Sequence, residues 1–291
     1  LVDNASTDAS LDIVHRFPSV RLLPQTENLG FAAGNNLAIQ AACEDADWIA
    51  LLNTDAYPDP AWLESLLSAV RDYPDFDALG SKLVDANDPA LLDGAGDAYH
   101  VSGLVWRICH GEKIPPVSQV REVFSPCAAA ALYRRSAFRS VNGFDEDFFC
   151  YMEDVDLGFR LRLSGFRCLY VPDSVVYHVG SATTGHQHSA FAVYHGHRNL
   201  VWTYIKNMPG VLFWLLLPVH LLMNVAACIY FSLIGQGMVI LKAKWDAIKG
   251  IRKVWAKRRH VQAGRRISVG AIWRMLDKRI MLLPISANSR F

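Results

Sequence analysis

Five segments of the chain bring together residues able to do polar chemistry. The stretch FFCYMEDVDLGFRLRLSGF (148–166) sets Glu153, Asp154 and Asp156 among aromatic and aliphatic neighbours. Losing hydration is costly for a carboxylate, so acids in such surroundings need a partner or a task. General base catalysis is one task, since it wants a carboxylate in a partly desolvated site. Pairing with Arg160 or Arg162 along a helix is the structural alternative. LLNTDAYP ends an apolar run on Asn53, Thr54 and Asp55. Asp55 should then project at a sheet edge, where a hard divalent cation finds oxygen ligands. The same three residues could equally cap the following helix. VDNASTD places Asp3 just past a strand end, suited either to a base or ribose or to an Asx turn. ENLGFAAGNN offers Gly30 and Gly34 at a helix start that an anion can approach closely. VVYHVGSATTG closes a strand on His178, which reads as a metal ligand, a phosphate contact or a satisfied buried histidine.

Other signals narrow the class. The His-x-His pairs of HQHSAFAVYHGHRN (186–199) lack a cysteine or carboxylate at zinc-site spacing. The six cysteines show no CxxC pair, and several lie in apolar runs, which fits free thiols in a reducing compartment. The formal net charge of +1 hides an asymmetry. Residues 1–241 carry 15 Lys and Arg against 26 Asp and Glu, whereas 242–279 carry 13 against two. An acidic body with a basic tail points to two environments.

The elements that must position these residues alternate. SLDIVHRFP reads as a helix, VRLLPQ as a strand, GFAAGNNLAIQAAC as a helix and WIALLNTD as a buried strand. PDPAWLESLLSAVRDYP is a helix with Pro60 near its first turn, and DALGSKLVD is another strand. Such alternation predicts an α/β domain with a mainly parallel sheet and ligands beyond the strands' carboxyl ends. Residues 86–123 read as loops and a hairpin. CAAAALYRRSAFRSVNGF reads as a strand and short helix, EDVDLGFRLRLSG as a helix stopped by Gly165, and FRCLYVPDSVVYHVG as two strands around Pro172. From 211 to 234 no residue is charged.

The order VDNASTD, NLGFAAGNN, LLNTDAYPDPAWLESLL, NGFDEDFFCYMEDVDLGFRLRLSGF and VVYHVGSAT closely resembles the family 2 inverting glycosyltransferases of GT-A fold, in their rhamnosyltransferase-like branch. The resemblance covers residues 1 to about 205. That family has a strand of pattern VSVVIVNYN and a helix before VDNASTD, so a truncated start is expected. The resemblance implies a Rossmann-like GT-A domain over 1–205, and the charge-free run with the basic stretch after it predicts a helical membrane-associated tail over 206–291. The resemblance also implies that Asp3, Asn28, Gly30, Asn35, Asn53 and Arg198 line the nucleotide-sugar pocket. Asn53-Thr54-Asp55 stands where the family carries its Asp-x-Asp metal motif, with Asn53 as a departure. Asp55 and His178 would hold Mg²⁺ or Mn²⁺. Asp154 would be the catalytic base, Glu153 would bind the acceptor or hold Asp154, and Asp156 would serve the helix start.

The activity so implied is transfer from dTDP-rhamnose or a UDP-sugar to a glycan or lipid-linked acceptor in cell-surface polysaccharide synthesis. A sugar-phosphate nucleotidyltransferase or a non-catalytic glycan-binding protein remain alternatives. The expected partner of the apolar and basic tail is the cytoplasmic face of the cell membrane, not nucleic acid.

Overall fold

Apolar runs and helical segments alternate in space much as they alternate along the chain. The computed structural model describes residues 1–42, 45–116, 118–180 and 189–279. The first half runs β1 (Val2–Asp3), α1 (Ser10–Val14), β2 (Leu23–Pro24), α2 (Gly30–Ala41), β3 (Trp48–Leu52), β4 (Ala56–Pro58), α3 (Trp62–Asp72) and β5 (Ala78–Asp85). Next come β6 (Leu92–Gly94), β7 (Asp97–Tyr99), β8 (Val105–Arg107), β9 (Arg121–Glu122), β10 (Ala130–Arg134) and α4 (Arg135–Ser140). A 3₁₀ turn (Glu146–Phe148), α5 (Glu153–Leu163) and β11 (Cys168–His178) lead to four helices: α6 (Ala190–Asn207), α7 (Gly210–Leu233), α8 (Gly237–Ala263) and α9 (Val269–Met275).

The central sheet has the order β3-β10-β5-β11-β4, with β6 on β5 and β9 on β11. Pairing is parallel in β5–β11 and in the separate β1–β2 pair, and antiparallel where β10 joins β3 and β5. This mixed pairing follows from the long excursion 86–129, which contains the β7–β8 hairpin and lets β10 return from the opposite end. Pro172 does not divide its segment into two strands. One strand continues, and its register against β5 shifts between Val171 and Val175, since a proline cannot donate to the ladder.

Side chains alternate across the strands and so feed two cores. Ile49, Leu51, Ala78, Cys168 and Tyr170 face α2, α4 and α5. Leu79, Leu83, Leu132, Leu169 and Val171 face α3 through Trp62, Leu66 and Ala69. A third cluster joins Tyr99, Phe124, Val155 and Phe159 to Tyr204, Leu212, Phe213, Val254 and Ile272. The helices after β11 therefore pack onto the α/β body, and the boundary expected at 205/206 falls inside α6.

Helix α5 is buried along nearly its whole length, including all of its charged residues but Asp154. Asp156 pairs with Arg160 at 2.8 Å and with Lys206 at 2.7 Å, and accepts from Asn207 Nδ2 at 2.7 Å. Asp156 is thus the hub of a buried ionic cluster, a larger role than the helix-start electrostatics expected of it.

Candidate active site

Sheet register brings the first two candidates together. After β3 the chain turns at Asn53–Asp55 and enters β4, which pairs antiparallel with the end of β11, Ala56 opposite His178. Asp55, one residue before Ala56, therefore sits beside His178, with Oδ1 3.5 Å from Nε2. Two cis ligands about 2.0–2.3 Å from one ion lie roughly 3–3.5 Å apart, so the pair fits a shared divalent cation. A carboxylate oxygen with an imidazole nitrogen also suits Mn²⁺. Among the described residues no group of three protein ligands forms. A pair is what a site needs when substrate phosphates complete the coordination.

Behind His178 stands Asp93, which the sequence reading missed. Its Oδ2 is 2.8 Å from His178 Nδ1, so Nε2 is left facing Asp55. Asp93 lies on β6 in the stretch 86–123, whose short apolar runs carry no period to mark it; only pairing with β5 brings it here. Arg107 reaches Asp93 at 2.6 Å across Gly94, where a Cβ would lie 2.2 Å from the arginine side chain. Burial would raise the Asp93 pKa, but Arg107, His110 and His178 hold it well below the ordinary range. Burial would lower that of His178, but hydrogen bonds to Asp55 and Asp93 bring it up to about 9.

The acids of the opening stretch lie at the start of α5. Asp154 Oδ2 accepts from Ala128 N at 3.2 Å and Oδ1 from Val155 N at 2.8 Å. Glu153 is buried, and among the described residues its Oε2 has no hydrogen-bond partner. Burial and then the charge of Asp154 push its pKa well above the ordinary range, which favours its neutral form. Between these acids and the Asp55 end lies Asp97, pushed up to about 8 by burial and by Asp154, with Arg107 opposing. Arg107 itself responds to Asp93, Asp97 and Asp154, so one guanidinium links the two ends of the site.

The residues expected at the nucleotide divide. Asp3 Oδ2 accepts from Ser6 N at 3.2 Å, an Asx-type turn. Asn28 Oδ1 accepts from Gly30 N at 2.9 Å, and Asn35 Nδ2 donates back to Phe31 O at 2.9 Å. Asn4, not singled out in sequence, ties the two segments together by donating to Gly30 O and accepting from Leu29 N. Gly30 (φ +79°) faces Phe149, which lies 2.6 Å from where a Cβ would be. Asn53 N donates to Ala129 O at 2.9 Å, fixing the turn before Asp55. Arg198 donates to Asp147 O and Phe148 O and stacks over Trp202, so among the described residues its contacts lie behind the 148–152 loop and not with Asp3, Asn28 or Gly30. Of the histidine-rich stretch, His186 and His188 lie outside the described residues.

A mixed sheet between helical layers, with carboxylates and a histidine at strand ends, fits the GT-A fold of glycosyltransferases. Residues 1–141 match the glycosyl transferase family 2 domain, and the chain belongs to that family. It is 36% identical to the N-acetylglucosaminyl-diphospho-decaprenol L-rhamnosyltransferase of Mycobacterium tuberculosis, over 64% of this chain and 67% of that protein. It is 48% identical to rhamnosyltransferase WbbL of Escherichia coli over a shorter stretch, 21% of this chain and 24% of that one. Among solved structures, the mannosyltransferase PcManGT from Pyrobaculum calidifontis, in complex with GDP-Man and Mn²⁺, superposes with a TM-score of 0.50 at 16% identity, covering 94% of this chain and 77% of that one. GalNAc-T7 with UDP, GalNAc and Mn²⁺ gives 0.55 at 14%, covering 71% and 41%.

Proposed function

We propose that the protein transfers rhamnose from dTDP-rhamnose to a hydroxyl of a polyprenyl-diphosphate-linked glycan, with inversion at the anomeric carbon. A UDP-sugar is the alternative donor. The observation that carries this reading is the Asp55–His178 pair at 3.5 Å with Asp154 held nearby, since Ala128 N donates to Asp154 and the next carbonyl, Ala129 O, accepts from Asn53 N. The name of the mycobacterial relative supports the donor sugar and the lipid-linked acceptor.

Asp154 takes the proton of the acceptor hydroxyl as its oxygen attacks the anomeric carbon. The bond from that carbon to the leaving diphosphate breaks on the opposite face, which inverts the configuration. Ala128 N–H and Val155 N–H orient the carboxylate. Burial drives Glu153 toward its neutral form, which lessens charge repulsion between the two acids. Asp55 and His178 would hold a divalent cation, which when bound offsets the charge developing on the diphosphate. Asp93 fixes the tautomer and direction of His178. Asp3, Asn28 and Gly30 border the donor, with Asn35 behind them on α2.

The test is transfer from dTDP-rhamnose to a polyprenyl-diphosphate N-acetylglucosamine by the Asp154→Asn variant. Turnover should fall by roughly 10²–10⁴-fold while donor binding persists. Near-normal turnover would remove Asp154 from this role, and transfer from UDP-sugars alone would overturn the donor assignment.

A further inference from the structure

Residues 149–152 lead into Glu153 and Asp154 along a backbone that L-amino acids seldom adopt. Phe149, Tyr151 and Met152 have φ of 64°, 66° and 70°. Such backbone is unfavourable for L-residues, so the surroundings must hold the segment. Cys150 N donates back to Phe148 O at 2.7 Å, which folds it tightly. The carbonyls of Phe148, Cys150 and Tyr151 then converge on α6. There Nδ2 of Asn199 lies 2.9, 2.9 and 2.8 Å from them.

Asn199 is fully buried. Its Oδ1 accepts from Arg198 Nε at 2.9 Å, which settles that the NH₂ end faces the loop. Two hydrogens there serve three carbonyls, so one bond is shared. On the opposite side Phe149 O accepts from Ala32 N at 3.2 Å, and Phe149 fills the space beside Gly30. The loop is therefore held between α2 and α6. Met152 O accepts from Asp156 N at 2.9 Å, so the conformation passes directly into the first turn of α5, which carries Asp154.

We propose that Asn199 is a positioning residue for sugar transfer: its buried amide imposes the left-handed loop and so sets where the Asp154 carboxylate lies. The inference rests on Asp154 being the base. A carboxylate at this position would aim charge at three carbonyl oxygens, and a serine would not reach them.

The experiment compares Asn199→Asp, Asn199→Ser, Asp154→Asn and Tyr204→Phe in the full chain. Tyr204→Phe removes a buried hydrogen bond made by the same helix to Phe213 O. Steady-state kcat, donor KM, Tm and backbone hydrogen exchange are measured for each. Misplacing a catalytic group by about 1 Å lowers rates by up to roughly 10²-fold. Both Asn199 variants should therefore lose about 10²-fold in kcat with donor KM changed less than about twofold, and residues 149–154 should exchange faster. Tyr204→Phe should lower Tm but keep kcat. Asn199→Ser, uncharged, carries the test if Asn199→Asp does not fold. Normal kcat and unchanged loop exchange in an Asn199 variant would overturn the proposal, as would a loss matched by Tyr204→Phe at equal Tm. Retained turnover in Asp154→Asn would instead fault the base assignment, whereas an inactive Asp154→Asn beside an unimpaired Asn199→Asp faults this inference alone.

Discussion

Asp93, Asp97, Glu153 and Asp154 share the neighbourhood of Arg107 and the start of α5. Asp93 is charged because Arg107 and two histidines surround it, while Asp97 and Glu153 are driven toward the neutral form by burial and by Asp154. Charge thus sits on Asp93, where the imidazole is oriented. This predicts three graded effects on donor binding, read by calorimetry with Mn²⁺. Asp55→Ala should abolish metal-dependent binding, because it removes the one hard oxygen of the pair. His178→Ala should weaken it. Asp93→Asn, which touches no ion, should cost about 10–100-fold by freeing the imidazole. Wild-type affinity in Asp93→Asn would exclude the orienting role. Asp55 and His178 were legible in the sequence because each ends an apolar strand. Asp93 and Asn199 were not: one is delivered by strand register, the other by backbone carbonyls that no side-chain pattern records.

Among the elements, α8 carries much of the basic charge, and a good part of that charge faces inward. Lys244 donates to His197 O, Arg258 donates to the carbonyls of Ile205 and Met208, and half-buried Lys257 meets Asp145 at 2.5 Å, while exposed Lys253 meets Asp147 at 2.6 Å. Charge counting had set all of these toward lipid; burial alone separates the two uses, and one sequence does not display it. Lys206 meets Asp145 from α6 at 2.5 Å, so α6, α8 and the turn before the 148–152 loop share one ionic latch. Burial would raise the Asp145 pKa, but Lys206 and Lys257 outweigh it and hold the group low. A depressed carboxylate contributes stability that is present above its unfolded pKa of about 4 and lost as pH falls toward its folded value. Asp145→Asn should cost about 3 kcal/mol at pH 7, and the deficit should shrink below about pH 4. Denaturant unfolding at pH 7 and pH 3 checks this; a deficit independent of pH would exclude the latch.

For the whole molecule, the proposed activity requires an acidic body to meet a lipid-linked acceptor. Helix α7 is 24 residues long, about 36 Å, enough to cross a hydrocarbon core of about 30 Å. Yet Leu212, Phe213, Leu216, His220 and Phe231 are buried along its length, the last against Val193 and Ile240. We propose that a helix held to the body near both ends in this way lies in the membrane interface. Its outer side exposes Trp214, Leu215, Leu222, Val225, Ile229 and Leu233, and α8 adds Met238, Leu241, Trp245 and Ile248. The α8 row continues at the same spacing into exposed Arg252 and Arg259. Apolar side chains thus give way to cations along one face, as they do from acyl chain to phosphate. Each arginine near an anionic surface contributes about 1 kcal/mol, and the positive residues favour the cytoplasmic leaflet. Because α7 to α9 share a core with the body, deleting 211–291 would expose that core, so surface changes are the cleaner probe. The intact protein should float with phosphatidylglycerol vesicles and be only partly released by high salt. Glutamate at Trp214, Leu222, Leu233 and Trp245, all at least 59% exposed, should keep Tm yet abolish flotation. Transfer to a polyprenyl acceptor in vesicles should then fall far more than transfer to a short-chain analogue in solution. Flotation that survives the four substitutions, or equal losses on both acceptors, would rule out this face as the membrane contact.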